Sequence, residues 1–385
     1  MAKRTPHDSV YSCAADAIQS ARRVVVKIGS SLIVDNDLSL DENWLGAVIS
    51  DLNELRDRGV ETIVVTSGAI ALGRRQLGLR GPLRLDQSQA ASAAGQTLLI
   101  NGWQRAFDAH GIKVAQLLLT LADTEHRRRY LNARATISAL LELGVVPIIN
   151  ENDTVATNEI RYGDNDRLAA HTSQLADADV LLILSDVDGL YTANPQTSDD
   201  AKHIPVVEAI TPQIEAMASG PNTEASIGKG GMVTKISAAR IAGASGCATI
   251  IAPGKIDRPV TSICDGGRAT LFLPSADREA ARKTWIRNLQ KPSGVLTIDH
   301  GAAAALQQGA SLLPAGIKNV SGEFERGDVL DVESQTGAMI ARGLAAYDAP
   351  DMKLIAGKRS DAVFEILGVR QRAAAIDRDN LVLNK

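Results

Sequence analysis

The sequence is poor in residues that several common kinds of protein need. Aromatic residues make up only 3% of the 385 residues, so a platform that stacks nucleic-acid bases is not expected. The three cysteines, Cys13, Cys247 and Cys264, are widely spaced and form no CxxC pair, which argues against a disulfide framework and against a zinc site. The pattern predicts free thiols in a reducing compartment.

Long apolar runs and an excess of basic charge are missing as well. No apolar run approaches the ~20 residues that span a bilayer, and residues 1–20 lack the apolar core of a secretory signal. With 41 basic against 45 acidic residues, the net charge is −4, so a face that binds polyanions in general is not expected. We therefore expect a cytoplasmic protein without a membrane partner.

What the sequence does contain is an alternation of short β-branched runs with helical segments. The predicted strands are almost continuously apolar, as expected for strands covered on both faces, and lie at 22–28, 61–66, 113–119, 145–149, 179–185 and 248–252. One segment between them, 44–59, has apolar residues at helical spacing and ends at Gly59. This alternation predicts an α/β fold with an open, mostly parallel sheet sandwiched by helices.

The composition changes in the last third of the chain, where short strands with glycine-bearing turns are typical of a small β-rich domain. A chain of this length is long enough for two domains. The predicted organisation is an N-terminal tail (1–20), an α/β domain (21–276), a connecting helix and linker (277–292), a β-rich domain (293–371) and a C-terminal extension (372–385).

Polar or glycine-rich turns follow four of the six predicted strands, at Lys27–Ser31, Thr66–Gly73, Asn150–Asp153 and Ser185–Tyr191. Ligands of open parallel sheets bind outside the carboxyl ends of the strands, so these turns are candidates for one site. Lys27 closes an apolar strand just before Gly29, where an anion can approach the main chain. A lysine that extends to water is the structural alternative.

A second glycine-rich segment, IGKGGMVTK at 227–235, runs into a predicted helix. Glycines that open a helix present free N–H groups to a phosphate, and Lys229 and Lys235 add positive charge. The spacing matches neither a P-loop nor GxGxxG. The segment therefore fits a phosphate-binding loop, with a flexible glycine hinge as the alternative.

The connection from Asn150 to Asp166 concentrates five carboxylates and four amides. The calcium pattern of an EF-hand fails, because Leu175 stands at the twelfth position counted from Asp164. Zinc fails because the histidines do not gather there. Carboxylates bind an α-ammonium and asparagines can donate to a carboxylate, so the loop predicts an ammonium-bearing substrate. A solvated, mobile loop is the alternative.

Together these segments resemble the amino acid kinase family. The resemblance rests on VVVKIGSSL, VVTSGAIALG, LLLTLAD, YLNARATI, VPIINENDTVATNEIRYGDND, GLYTANP and GKGGMVTK, in that order over residues 22 to 290. The remainder resembles the PUA domain through GASLLPAGI and VSGEFERGDVL. Within the family, the resemblance is to kinases that use ATP to phosphorylate the γ-carboxylate of L-glutamate, the first step of proline biosynthesis.

The resemblance also implies roles for the matching residues. It implies phosphoryl-transfer residues Lys27, Lys235 and Asp166; glutamate-binding residues Ser67, Gly68, Ala69, Asp153 and Asn165; and nucleotide-binding residues Lys27, Ser185, Asp186, Lys229, Gly230, Gly231, Met232, Val233, Thr234 and Lys235. It further implies Mg²⁺ with ATP but no protein metal ligand, a homo-oligomer (dimer or tetramer) and feedback inhibition by proline. Lys229 departs from the family pattern, in which a small hydroxyl residue is common at that position.

Two other functions remain open at this point. One is a carboxylate kinase of the same fold acting on aspartate or N-acetylglutamate, although an N-acylated substrate has no ammonium for the acidic loop to pair. The other is RNA binding through the PUA domain. Residues 293–385 contain ten basic against twelve acidic residues, and this balance opposes a strong phosphate-driven interaction.

Overall fold

A computed structural model of the chain describes residues 11–156, 165–218, 231–275, 292–368 and 374–384. It divides the chain into two units, Met1–Glu125 with Ala133–Arg278 and His126–Asn132 with Glu279–Lys385. Almost all of the predicted connecting segment, 277–292, lies outside the described residues. No helix in the described ranges has the length and hydropathy of a membrane span.

The strands of the first unit come from the β-branched runs of the sequence. They are β1 (Arg23–Ile28), β2 (Glu61–Val65), β3 (Val114–Leu119), β4 (Val146–Glu151), β5 (Val180–Ser185), β6 (Leu190–Tyr191), β7 (His203–Ile204), β8 (Val206–Val207), β9 (Ala248–Pro253) and β10 (Thr270–Phe272). Eight of them form a sheet in the order β3-β4-β2-β1-β5-β9-β10-β8. Its described pairings are parallel except β9 with β10, so the predicted mostly parallel sheet is confirmed.

The helices up to residue 275 precede or separate these strands in the chain. They are α1 (Ala14–Ser20), α2 (Ser30–Ile33), α3 (Glu42–Asp57), α4 (Ala69–Gln76), α5 (Leu85–Asp108), α6 (Leu121–Glu125), α7 (Arg127–Glu142), α8 (Asn165–Leu175), α9 (Pro212–Ala218), α10 (Met232–Gly243) and α11 (Pro259–Cys264). The residues of α7 up to Asn132 belong to the second unit. The predicted tail, 1–20, differs from the structure in its last part. There α1 buries Ala17 and Ile18 completely, because its apolar residues find partners in the core.

The two faces of the central strand β1 carry different helices. Val24, Val26 and Ile28 lie in one apolar cluster with residues of α3 and α5. Because side chains alternate along a strand, Val25 and Lys27 face the other side, where α8 packs on β1 and α10 packs on α8. This alternation directs the last polar side chain of β1 toward the amino ends of two helices.

Helices α4 and α5 approach each other backbone to backbone through two glycines. A Cβ atom at Gly73 would lie 1.7 Å from the carbonyl oxygen of Ala91, and one at Gly95 would lie 1.8 Å from that of Ala69. No other residue type fits at either position without moving a helix. The contact holds α5 against the turn that follows β2.

The second unit is built on a five-stranded sheet. Its strands are β11 (Gly294–Ile298), β12 (Ile317–Gly322), β13 (Val329–Ser334), β14 (Met339–Leu344) and β15 (Leu381–Leu383), in the order β12-β11-β13-β14-β15, and its described helices after residue 292 include α12 (His300–Gln307), α13 (Ala349–Ile355) and α14 (Ser360–Leu367). Only β11 with β13 is parallel among the described pairings. The predicted separate extension, 372–385, instead supplies β15, whose apolar residues complete the edge of the sheet.

The glycine contact between α4 and α5 predicts a large effect of one methyl group. Gly73→Ala should destabilise the first unit by at least about 3 kcal/mol, the upper end of ordinary overpacking costs, because the rigid carbonyl of Ala91 cannot move away alone. Gly46→Ala in α3 is the matched control, since a Cβ there meets nothing within 4 Å. The control should be neutral or stabilising by up to about 1 kcal/mol. Urea unfolding followed by tryptophan fluorescence measures both, and equal stabilities would contradict the packing.

Candidate active site

A buried carboxylate lies between two lysines at the carboxyl edge of the sheet. Asp166, in the first turn of α8, is completely buried. Its Oδ1 atom lies 2.7 Å from Nζ of Lys27, at the end of β1. Its Oδ2 atom lies 3.3 Å from Nζ of Lys235 and accepts a hydrogen bond of 2.8 Å from the hydroxyl of Thr234, both in the first turn of α10. Residues distant in sequence are therefore held together by one carboxylate.

The protonation of this cluster follows from its burial and its charges. Burial by itself raises the pKa of Asp166, but Lys27 and Lys235 and the hydrogen bonds from Lys27 and Thr234 outweigh it and lower the pKa below its usual value. Burial lowers the pKa of Lys235, which Asp166 partly offsets. The carboxylate thus stays ionised at neutral pH, and its attraction keeps Lys235 from losing its proton as readily as burial alone would make it.

A chain of amides leads away from this cluster. Asn165 Nδ2 donates to the carbonyl oxygen of Thr66 at 2.8 Å, to Ser67 Oγ at 2.6 Å and to Asn150 Oδ1 at 3.1 Å. Asn150 Nδ2 in turn donates to Gln96 Oε1 at 2.8 Å. Ser67 and Asn165, two of the predicted substrate-binding residues, are therefore in direct contact. Asn165 directly precedes the buried Asp166 in the chain.

The turn between β2 and α4 depends on a left-handed glycine. Gly68 has φ = +107° and stands directly before the first residue of α4, Ala69. This region of φ is costly for residues with a Cβ, and a Cβ here would also lie 3.0 Å from a methyl group of Val34. The turn presents the backbone of Gly68 and Ala69 beside Ser67.

Asp153, the acidic residue predicted to bind the substrate, is held by a hydrogen bond from helix α5. Asp153 Oδ2 accepts a hydrogen bond of 2.6 Å from the hydroxyl of Ser92 on α5. Burial raises the pKa of Asp153, and the bond from Ser92 partly offsets it. Glu159 and Asp164, from the same acidic connection, lie outside the described residues.

The residues predicted to bind the nucleotide are described in part. Ser185 ends β5, and its hydroxyl donates to Asp186 Oδ1 at 2.9 Å. Gly231 precedes α10, and the first two N–H groups of the helix, at Met232 and Val233, are available to an anion, whereas the N–H of Thr234 donates to the carbonyl oxygen of Gly231. The pKa of Lys235 is lowered by burial, and the negative charge of Asp186 opposes this effect slightly. Lys229 and Gly230 lie outside the described residues.

Two side chains of α5 belong to this region although the sequence analysis did not identify them. Ser92 contacts Asp153, and Gln96 contacts Asn150. Both are polar residues in the small-residue segment ASAAGQ (91–96), and their spacing of four places them on one helix face. A polar pair on a helix face that also carries Gly95 was the only signal available in the sequence.

Within the described ranges, no group of three or more histidine, cysteine, aspartate or glutamate residues is arranged to hold a metal ion. The one completely buried carboxylate of the site, Asp166, is already engaged by two lysines and a threonine.

Comparison with known proteins agrees with this domain organisation of one α/β unit and one β-rich unit. The model of the amino acid kinase family matches residues 22–253, and the model of the PUA domain matches residues 294–367. The chain belongs to the amino acid kinase family.

Curated relatives match this chain over nearly its whole length. The chain is 54% identical over 371 residues to "Glutamate 5-kinase 1" of Rhizobium meliloti (strain 1021), covering 96% of this chain and 94% of the relative. It is 55% identical over 364 residues to "Glutamate 5-kinase" of Paracoccus denitrificans (strain Pd 1222), covering 94% and 97%. Among solved structures, UMP kinase from Bacillus anthracis aligns with a TM-score of 0.45 at 14% identity, covering 66% of this chain and 97% of that one.

The buried cluster predicts a strong and specific coupling in stability. Asp166→Asn should cost about 3–5 kcal/mol, because it removes the carboxylate that both buried lysines contact. A second substitution, Lys235→Met, should restore part of the lost stability, because it removes one of the two cations that the carboxylate of Asp166 had neutralised. The stabilising contribution of Asp166 is present above its ordinary pKa and is lost as the pH falls through its lowered value.

The measurement is urea unfolding at neutral pH, followed by tryptophan fluorescence. Asp257→Asn, an exposed carboxylate of the same unit, is the control and should change stability by no more than about 0.5 kcal/mol. A double variant as unstable as the sum of its two single variants would contradict the coupling.

Proposed function

We propose that this chain transfers the γ-phosphoryl group of ATP to the γ-carboxylate of L-glutamate, which forms glutamyl 5-phosphate at the start of proline biosynthesis. The names of the curated relatives support the reaction, since the match covers nearly the whole of both chains. The structural observation that carries the proposal is the sharing of the buried Asp166 by Lys27 and Lys235 at the sheet edge.

The chemistry of this reaction explains why the site contains lysines rather than a general base. A carboxylate with an ordinary pKa near ~4.3 is already ionised at neutral pH, so its oxygen can attack the γ-phosphorus without losing a proton first. The obstacle is repulsion between the carboxylate and the triphosphate. Positive charge and N–H groups held in fixed positions lower that barrier by neutralisation and positioning.

In the proposed mechanism, Lys27 and Lys235 contact the phosphoryl group that passes between the two oxygens. Two cations and one carboxylate leave the cluster with a net positive charge toward the substrates. Asp166 does not touch the reacting atoms in this scheme; it positions both ammonium groups. Lys27 reaches it from β1 and Lys235 from α10, so the two cations are held on a common carboxylate.

The glutamate subsite is proposed to lie along the amide chain. Ser67 and Asn165, with the backbone of Gly68 and Ala69, contact the substrate, and Asp153 binds its α-ammonium. Asp153 is partly buried, and among the described residues only Ser92 donates to it, at Oδ2, so Oδ1 is proposed to receive the ammonium. Charge-assisted hydrogen bonds of this kind are the stronger ones in proteins.

The nucleotide subsite is proposed to lie at Ser185, Asp186 and the segment Lys229–Lys235. The amino end of α10 supports it with free N–H groups directed at the phosphates. Mg²⁺ that accompanies the nucleotide would reduce the negative charge of the phosphates. Asp186 is exposed at the end of β5 and is available to a ribose hydroxyl or to a water ligand of the ion.

Other expectations stay proposals that rest on the resemblance. They are a homo-oligomer, inhibition by proline and a location in the cytoplasm. A carboxylate kinase acting on aspartate or N-acetylglutamate is the second candidate function within this fold. Asp153 disfavours the N-acylated acid, because a neutral amide nitrogen provides no charge for a buried carboxylate.

Trapping the acyl phosphate with hydroxylamine tests the reaction. Purified protein with ATP and Mg²⁺ should form a hydroxamate from glutamate, and much less from aspartate or N-acetylglutamate at the same concentration. Lys235→Met should reduce kcat by about 10²–10³-fold, the scale for losing a fixed electrostatic contact to a transition state, while KM for glutamate changes little. The exposed Lys255 provides the control variant Lys255→Met. Hydroxamate formed preferentially from another acid would replace the proposed substrate.

The raised pKa of Asp153 predicts a pH dependence of substrate binding. Only the ionised carboxylate binds an ammonium, so KM for glutamate should rise as the pH falls toward the pKa of Asp153, which lies above that of an ordinary aspartate. Asp153→Asn should raise KM about tenfold or more, the scale for a lost hydrogen bond to a charged group, and should abolish this part of the pH profile. kcat/KM for glutamate between about pH 5 and pH 8 measures both effects. An unchanged KM in the variant would remove Asp153 from the subsite.

A further inference from the structure

Beside the proposed glutamate subsite, one buried amide side chain has a hydrogen bond at its oxygen but none at its nitrogen among the described residues. Gln96 of α5 is 8% exposed, and its Oε1 atom accepts the hydrogen bond from Asn150. Its Nε2 atom is buried and has no hydrogen-bond partner among the described residues. A buried donor without a partner destabilises the protein, and such a group requires a reason.

The orientation of the Gln96 amide follows from the groups that contact it. The carbonyl of Thr66 can only accept, so Asn165 must turn its NH₂ group toward it. The same NH₂ group faces Asn150, which must therefore present its oxygen. Asn150 then presents its NH₂ group to Gln96, which must accept with Oε1. A main-chain carbonyl thus fixes the direction of the whole series, and the free end is a donor.

A free donor in this place selects the chemistry of its partner. It can bind a carboxylate or another acceptor, whereas it repels an ammonium group. None of the described protein groups around Nε2 provides an acceptor, and a molecule that enters the site can bring one. An amino-acid substrate brings two carboxylates, of which the reacting one belongs with the lysines.

The position of Gln96 on α5 indicates which of the two substrate carboxylates its Nε2 atom contacts. Ser92, one helical turn earlier on the same face, holds Asp153, the group proposed to bind the α-ammonium. Four residues of a helix rise about 6 Å, so Nε2 and the Asp153 carboxylate are neighbours on one wall. The α-carboxylate and the α-ammonium of an amino acid sit on the same carbon atom and match such a pair.

From this geometry we infer that Gln96 is an additional substrate-binding residue, whose Nε2 atom donates a hydrogen bond to the α-carboxylate of the amino-acid substrate. The inference rests on the proposed function and extends it. The close contact of Gly95 with Ala69 brings this part of α5 against the turn that carries Ser67. Gln96 acts on binding of the substrate and not on the phosphoryl group, which lies at the lysine cluster.

The test compares glutamate with 4-aminobutyrate, which keeps the ammonium and the reacting carboxylate but lacks the α-carboxylate. In Gln96→Met, KM for glutamate should rise about tenfold or more, the scale for a hydrogen bond to a charged group, with little change in kcat or in KM for ATP. The ratio of kcat/KM for glutamate to that for 4-aminobutyrate should fall by a similar factor, because only glutamate loses a contact. A structural role alone would lower kcat/KM for both compounds equally and would overturn the inference.

Gln96→Glu provides a second variant of nearly the same shape. It keeps the acceptor for Asn150 but places an oxygen where the donor was, so KM for glutamate should rise more than in Gln96→Met. It also carries the test if the methionine variant does not fold. Gln104→Met on the same helix is the control, since Gln104 contacts Asp108 on the surface, and it should leave both ratios unchanged.

The two proposals can fail separately. If wild-type protein forms no γ-glutamyl hydroxamate, the proposed function is wrong. If wild-type protein forms it and the Gln96 variants keep the wild-type KM for glutamate and the wild-type substrate ratio, only the role of Gln96 is wrong.

Discussion

The structure of this site depends on a single carboxylate that two lysines share. Asp166 has no exposure to solvent, and neither it nor the lysines would be tolerated there alone, since an unpaired buried charge costs several kcal/mol. Lys27 comes from the central strand and Lys235 from the first turn of α10. The ion cluster therefore does two things at once. It connects a strand to two helix amino ends, and in the proposed mechanism it provides the positive potential that lets two anions meet.

The opposite requirement applies on the substrate side, where a specific amino acid has to be oriented before it reacts. There the structure uses neutral amides and one carboxylate rather than more cations. The series from Thr66 through Asn165 and Asn150 to Gln96 has a fixed direction, so each amide is oriented before a ligand arrives. Such preorganisation lowers the entropy that binding has to overcome. The site thus separates neutralisation of charge from recognition of the substrate.

Much of this arrangement is visible in the sequence, for physical reasons. The long β-branched runs predicted the main strands to within about two residues, because strands covered on both faces require continuous apolar residues. The polar turns after those strands predicted that the carboxyl edge of the sheet carries the candidate site. The family resemblance implied the roles of individual residues there. Ser92 and Gln96 were not predicted, because they lie on a helix more than 50 residues from their partners. Helix α1 and strand β15 were missed because short elements are specified by tertiary contacts rather than by a local pattern.

The contact between α4 and α5 has a consequence for how such enzymes change. Through Gly73 and Gly95, main-chain atoms of the two helices touch directly, so peptide groups set the distance between them. Peptide groups have one size in every sequence, whereas packed side chains vary. Replacement of ordinary core residues during evolution therefore leaves the width of this wall unaltered. An enzyme that evolves to accept a longer or shorter substrate therefore has to change the site at residues outside the contact between α4 and α5.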